Sequence, residues 1–196
     1  MKKLNLFLLA STCLTVTAFS QLNKGTWIVG GNAGFNSSSY HPNQIAETKT
    51  ADLQFSATTG YFVLSNFPVG VRTNWQSQKQ KYHDALGTTG EASSNYLSIG
   101  PFARYYLLKK KDQLVNILVE ANYSFGSARP DISANTFHFS RYALLAGPVI
   151  FLNSSVGLEF TVGYFNEKPS DGRNATTGFQ TNLGFQIHLE KNKPDF

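Results

Sequence analysis

Apolar and polar residues alternate with a period of two through most of this 196-residue chain, and the cleanest run lies near its C-terminal end. In TTGFQTNLGFQIHLE (176–190), Phe179, Thr181, Leu183, Phe185, Ile187 and Leu189 share one side. Gly178, Gln180, Asn182, Gly184, Gln186 and His188 share the other. Successive side chains on a strand point to opposite faces, so this stretch predicts a strand with one apolar and one polar wall. Seven earlier segments predict strands of the same kind, at 25–36, 51–63, 68–77, 94–106, 114–126, 139–151 and 155–165. Ile28 interrupts the polar wall of the first, and the sixth is the least regular, which leaves its register open. Pro101 and Pro148 each follow a glycine and cannot donate to a ladder, so a local break is expected at both.

The connections alternate in length. They are long and polar after the first, third, fifth and seventh segments, and short after the second, fourth and sixth. That rhythm belongs to an up-and-down meander with tight turns at one end and extended loops at the other. No apolar-wall position is Asp, Glu, Lys or Arg, whereas Arg72, Arg104, Glu120, Arg141 and Glu159 all fall on the polar wall. A bilayer imposes such sorting, because an Arg or Lys facing lipid at mid-depth costs about 2–4 kcal/mol. Tilted segments of about 10–13 residues also cover a hydrocarbon band of about 25 Å. Aromatic residues gather near the segment ends: Trp27, Tyr61 and Tyr105 toward the short turns, and Phe35, Trp75, Tyr123, Phe125 and Tyr164 toward the long loops. These positions predict two interfacial girdles. The expected fold is an all-β, eight-stranded antiparallel transmembrane barrel, with short periplasmic turns and long extracellular loops at 37–50, 77–93, 127–138 and 166–175.

The first 20 residues read as a secretory signal peptide: Lys2 and Lys3, an apolar core over 4–19, and Ala18-Phe19-Ser20 as a cleavage site. The barrel domain is then 21–196. The only cysteine, Cys13, lies in the leader, so the barrel domain has no thiol chemistry. The formal charge of +5 includes Lys2 and Lys3, so cleavage leaves +3. No basic run interleaved with aromatics offers a nucleic-acid surface.

Four features together carry a resemblance: the hairpin rhythm, the segment GYFV-turn-PVGVR at 60–72, GPFARYY at 100–106, and the aromatic closing strand. With these the chain resembles the small eight-stranded outer-membrane barrels typified by the OmpA transmembrane domain and OmpX. The resemblance implies insertion into outer-membrane lipid of a Gram-negative envelope by the barrel-assembly machinery, which reads an aromatic C-terminal strand. Glu190–Phe196 extends past that strand here.

The inward charges Arg72, Arg104, Glu120, Arg141 and Glu159 are expected to form a structural salt-bridge network, since eight strands leave room mainly for side chains. Neither a metal site nor a cofactor is expected, because His41, His83, His138 and His188 lack ligand spacing with Cys, Asp or Glu. Enzymatic activity is not expected either, as no set of nucleophile, base and orienting group can be named. The expected role is structural or surface-interacting, with an unknown extracellular ligand at the loops. The competing readings are a narrow pore for small solutes, a lipid-modifying outer-membrane enzyme, and a soluble lipocalin-like binder. Gly25-Thr26-Trp27 fits the lipocalin reading, and its apolar wall would face inward.

Overall fold

The computed structural model describes residues 22–43, 46–83, 89–108, 114–131, 136–172 and 175–189, with the backbone alone at 35–43, 46–48 and 82–83. The leader at 1–20 and the tail Glu190–Phe196 lie outside the described residues, as do the side chains of Phe35, His41 and His83. Eight strands follow one another in sequence: β1 Trp27–Asn43, β2 Ala46–Leu64, β3 Phe67–His83, β4 Thr89–Tyr106, β5 Val115–Pro130, β6 Phe137–Phe151, β7 Val156–Pro169 and β8 Thr176–Leu189. Each pairs antiparallel with its neighbour in the chain, and β8 pairs back onto β1 to close the barrel.

The period-two pattern is what closes the sheet in this sense. Ile99, Leu144 and Phe160 stay about half exposed on the outer wall, while Arg104 and Glu120 are almost wholly buried on the inner one. This arrangement overturns the lipocalin-like alternative, which needs the apolar wall inside. The sixth strand is resolved with Tyr142, Leu144 and Ile150 outward. It looks irregular in sequence because Leu145, Val149 and Phe151 point inward as well, the last two into an apolar base and Leu145 beside Glu120.

Both prolines sit at gaps in one ladder only. The β4–β5 pairing runs to Ile99–Phe125 and resumes at Phe102–Asn122, while Pro101 still opposes Val71 on its other side. The β6–β7 pairing likewise breaks between Ala146–Val162 and Val149–Glu159, while Pro148 still opposes Ile117. Glycine is required beside each gap, because a Cβ at Gly100 or Gly147 would run into the carbonyl oxygen of Tyr123 or Phe160.

The short ends are tightly organised. Asn66 takes a φ of 66° in the β2–β3 turn, a left-handed conformation that asparagine tolerates. The Asn153 side-chain oxygen accepts hydrogen bonds from the amides of Ser155 (2.8 Å) and Val156 (2.7 Å), which folds the β6–β7 turn. Asn116 staples Leu108 at the base of the charged β4–β5 turn, accepting from its amide and donating to its carbonyl.

The long ends differ from the sequence expectation. Most of 37–50 and 77–93, and parts of 127–138 and 166–175, are strand rather than loop. Lys81 opposes Glu91 across β3 and β4 and forms an exposed ion pair of 2.6 Å. Above the outer girdle both faces of a strand meet water, so the alternation that marks a half-buried strand disappears there. The ladder nonetheless continues.

Candidate functional site

Three layers fill the barrel. At the short-turn end, Ile28, Phe62, Leu118, Val149 and Phe151 close the lumen, and Leu22 folds beneath them. Leu22 is held by a hydrogen bond of 2.8 Å from the Asn66 amide to its carbonyl. His188 belongs to this layer and not to a polar wall. Its ring stands at 5.5 Å from Phe62, 6.3 Å from Tyr106 and 5.7 Å from Phe151. Neither of its nitrogens has a hydrogen-bond partner among the described residues.

The charge cluster sits directly above. Arg104 and Glu120 oppose each other on β4 and β5. Arg104 donates to Glu120 Oε2 through Nε (3.0 Å) and Nη2 (2.7 Å), and to Glu159 Oε2 through Nη1 (2.8 Å). Arg72 Nη2 reaches the same Glu120 oxygen from β3 at 2.9 Å. Asn122 donates to the other Glu120 oxygen, at 3.1 Å. Gln186 and Tyr106 complete the set: the Gln186 side-chain oxygen accepts from Arg104 Nη1 (2.7 Å) and from the Tyr106 hydroxyl (2.6 Å). Two cations and two carboxylates are thus tied together across four strands, and Gln186 adds a fifth. A buried charge is tolerable only when paired, and every charge here is paired, although Arg72 Nε and Gln186 Nε2 have no hydrogen-bond partner among the described residues.

Arg141 does not join it. It lies nearer the long ends, opposite Glu167 on β7, with 3.4 Å between Nη1 and Glu167 Oε2. Its Nη2 donates to Gln180, and its guanidinium lies 4.0 Å over the Phe165 ring. The expected five-residue network is therefore a cluster of four plus a separate pair. Sequence reading missed Glu167 by assigning it to a loop, and missed Tyr106 and Gln186 because they are uncharged. Arg141→Gln should cost about 2–3 kcal/mol, the scale of one cation–π contact and the charged hydrogen bonds to Glu167 and Gln180. Urea unfolding of the barrel in lipid vesicles, followed by tryptophan fluorescence, measures it.

The third layer is a vestibule open toward the long ends. A cavity of about 280 Å³ in it is bordered by Asp52, Gln54, Gln76, Arg141, Phe165 and Gln180 among others. A narrower recess below it reaches Arg72.

On the outer wall, Trp27 packs edge-to-face on Tyr61 at 5.2 Å, and Tyr105 lies 6.4 Å from Phe67, both near the short turns. Toward the long ends, Trp75 stacks on Phe55 at 5.8 Å and Tyr123 meets Phe125 at 4.9 Å. Tyr164 bridges Tyr142 and Phe179, at 6.4 and 6.1 Å. Tyr142 and Phe179 extend the aromatic set that the sequence suggests. Among the described residues no group of His, Cys, Asp and Glu could hold a metal ion.

Solved structures share this fold. OprG of Pseudomonas aeruginosa superposes with a TM-score of 0.59 at 13% identity, covering 90% of this chain and 100% of that one. Neisserial surface protein A gives a TM-score of 0.50 at 18% identity, covering 84% and 97%. No curated protein sequence matches. The model of the outer membrane protein beta-barrel domain matches residues 6–192. The chain, an eight-stranded barrel of the outer membrane, therefore belongs to the outer membrane protein beta-barrel domain family.

Proposed function

We propose that this outer-membrane protein is a closed anchor that holds an extended β-rim outside the cell as an interaction surface. The observation that carries the reading is strand length. A membrane-crossing strand needs about 9–11 residues. Yet β1 and β3 have 17 residues each, β4 has 18 and β2 has 19. All of the excess lies at the long-loop ends, away from the apolar base. Paired backbone of this length makes a stiffer platform than loops would, and a surface that binds without reordering gives up less entropy. The cluster of Arg72, Arg104, Glu120 and Glu159 supports the same reading, since it occupies the cross-section a pore would need.

The test shortens the β1–β2 and β3–β4 hairpins, joining residue 37 to 51 and residue 78 to 94 through two-residue turns. The trimmed barrel should still fold, since the whole charge cluster is retained. Cells carrying it should lose adherence to host or abiotic surfaces relative to cells with the full-length protein. Equal adherence would count against the rim. The reading assigns the chain no catalytic chemistry, so envelope lipids of a deletion strain should match those of its parent in mass spectra. A missing or new acyl modification would favour the lipid-modifying alternative.

A further inference from the structure

Charges near and beyond the outer girdle are sorted by the wall they occupy. Inward, the carboxylates of Asp52 and Glu167 outnumber the one cation, Arg141. Outward, the balance reverses. Among the described side chains the only outward carboxylate within a strand is Glu91, and Lys81 holds it in an ion pair. The remaining outward charges at this end are cations, Lys49, Lys79, Arg129 and Lys168, and all four are exposed. Asp131 and Asp171 lie past the strand ends, farther from the girdle. Water accepts either sign of charge, so a merely wet wall would not sort them in this way.

Three of these cations occupy a repeated position. On β3 the outward face reads Trp75, Ser77, Lys79: a girdle aromatic, a small polar residue, then a base. β5 repeats the order with Phe125, Ser127 and Arg129, and β7 with Tyr164, Asn166 and Lys168. β6 runs the other way and has Tyr142, Ser140 and His138. Alternate residues share a face, so each base stands four positions beyond an aromatic of its own strand. With a rise of about 3.3 Å per residue and a tilt of about 40°, that is about 13 Å along the strand and about 10 Å along the membrane normal. The polar layer of one leaflet is about 5–8 Å deep, so the bases stand at its outer margin. Lys and Arg side chains are long enough to bring their charged ends back into that layer.

We infer that this outward belt, over β3 and β5 to β7, binds phosphorylated glycolipid headgroups of the outer leaflet. The three tiers match the cross-section of such a lipid. The aromatic meets the upper acyl chain. Ser or Asn, which both donate and accept, faces the ester, amide and hydroxyl groups above it. The base meets the phosphate, where a charge-assisted hydrogen bond is stronger than a neutral one. Neighbouring phosphates in a leaflet repel one another, and the belt supplies fixed cations where mobile ones would otherwise be needed. Carboxylates on this wall would add to the repulsion, which accounts for their place inside.

The test places the barrel in phosphatidylcholine nanodiscs that carry diphosphoryl lipid A as the probe. Native mass spectrometry then counts the probe molecules that stay bound after transfer to detergent. The wild-type protein should retain the probe and lose the same glycolipid stripped of its phosphates. Each neutralised cation should lower retention about fivefold, so Lys79→Gln, Arg129→Gln and Lys168→Gln together should lower it about a hundredfold. Lys79→Arg with Lys168→Arg keeps the charges and should retain the probe. So should Lys24→Gln, which removes an exposed cation at the short-turn end. Retention should also survive EDTA and excess inorganic phosphate. Heat-modified migration in gels identifies the folded fraction of each variant, and only that fraction is compared. The inference is overturned if the folded triple variant retains the probe as wild type does, or if the phosphate-free lipid binds equally. Release by EDTA would overturn it in favour of metal-bridged lipid, and displacement by inorganic phosphate in favour of a site for soluble anions.

Discussion

Glu120→Ala is expected to lower the unfolding free energy of the barrel by about 3–5 kcal/mol, the cost of removing one partner from a buried ion pair. Glu120 is 1% exposed, and one of its oxygens accepts from both Arg72 and Arg104. Without it, the two guanidiniums of the cluster are left with one carboxylate, Glu159, which only Arg104 reaches. Arg104 would keep its bonds to Glu159 and Gln186, whereas no other ion pair of Arg72 is formed among the described residues. Replacing Arg72 together with Glu120 by apolar residues should recover much of the loss, because the penalty is the stranded charge and not the missing attraction. Urea titration in lipid vesicles and heat-modified migration in gels both report the change. An unchanged midpoint for Glu120→Ala would mean that the cluster does not support the fold.

A charge on the other wall should be nearly as costly. Phe160 faces outward on β7, four positions below Tyr164 of the outer girdle, and opposes Leu183 on β8. Phe160→Arg is expected to destabilise the barrel by about 2–4 kcal/mol in a bilayer. Phe160→Leu keeps an apolar side chain of smaller size, and its cost should stay below about 1.5 kcal/mol. Refolding both variants into vesicles separates the two contributions. If the arginine were tolerated as well as the leucine, Phe160 would not be facing hydrocarbon.

Inside and outside were legible because a bilayer and a narrow lumen apply opposite filters to alternate residues. That contrast lasts only through the membrane. The strands run on to Asn43, His83 and Pro130, through stretches rich in Ser, Thr, Gln and Lys whose sequence shows no alternation. Glu167 was lost as a partner of Arg141 for this reason, although it lies directly opposite on the ladder. At the base the contrast fails in the other direction. Ile28, Phe62, Leu118 and Val149 point inward yet are apolar, so Ile28 looked like an exception and β6 looked irregular. They are parts of a seal. Tyr106 and Gln186 could not be found from local pattern, since they meet across the barrel and 80 positions apart in the chain. Only closure of β8 onto β1 brings them together.

Closure of the lumen is the claim on which the account rests, and planar-bilayer recording of the purified barrel tests it most directly. The apolar base and the cluster above it should leave no water-filled path, so the wild-type protein is expected to show no stable, reproducible conductance. Occasional unsteady flicker is compatible with that result. Discrete steps of constant size, reproducible between preparations and altered by Glu120→Ala, would contradict it and make the protein a narrow pore.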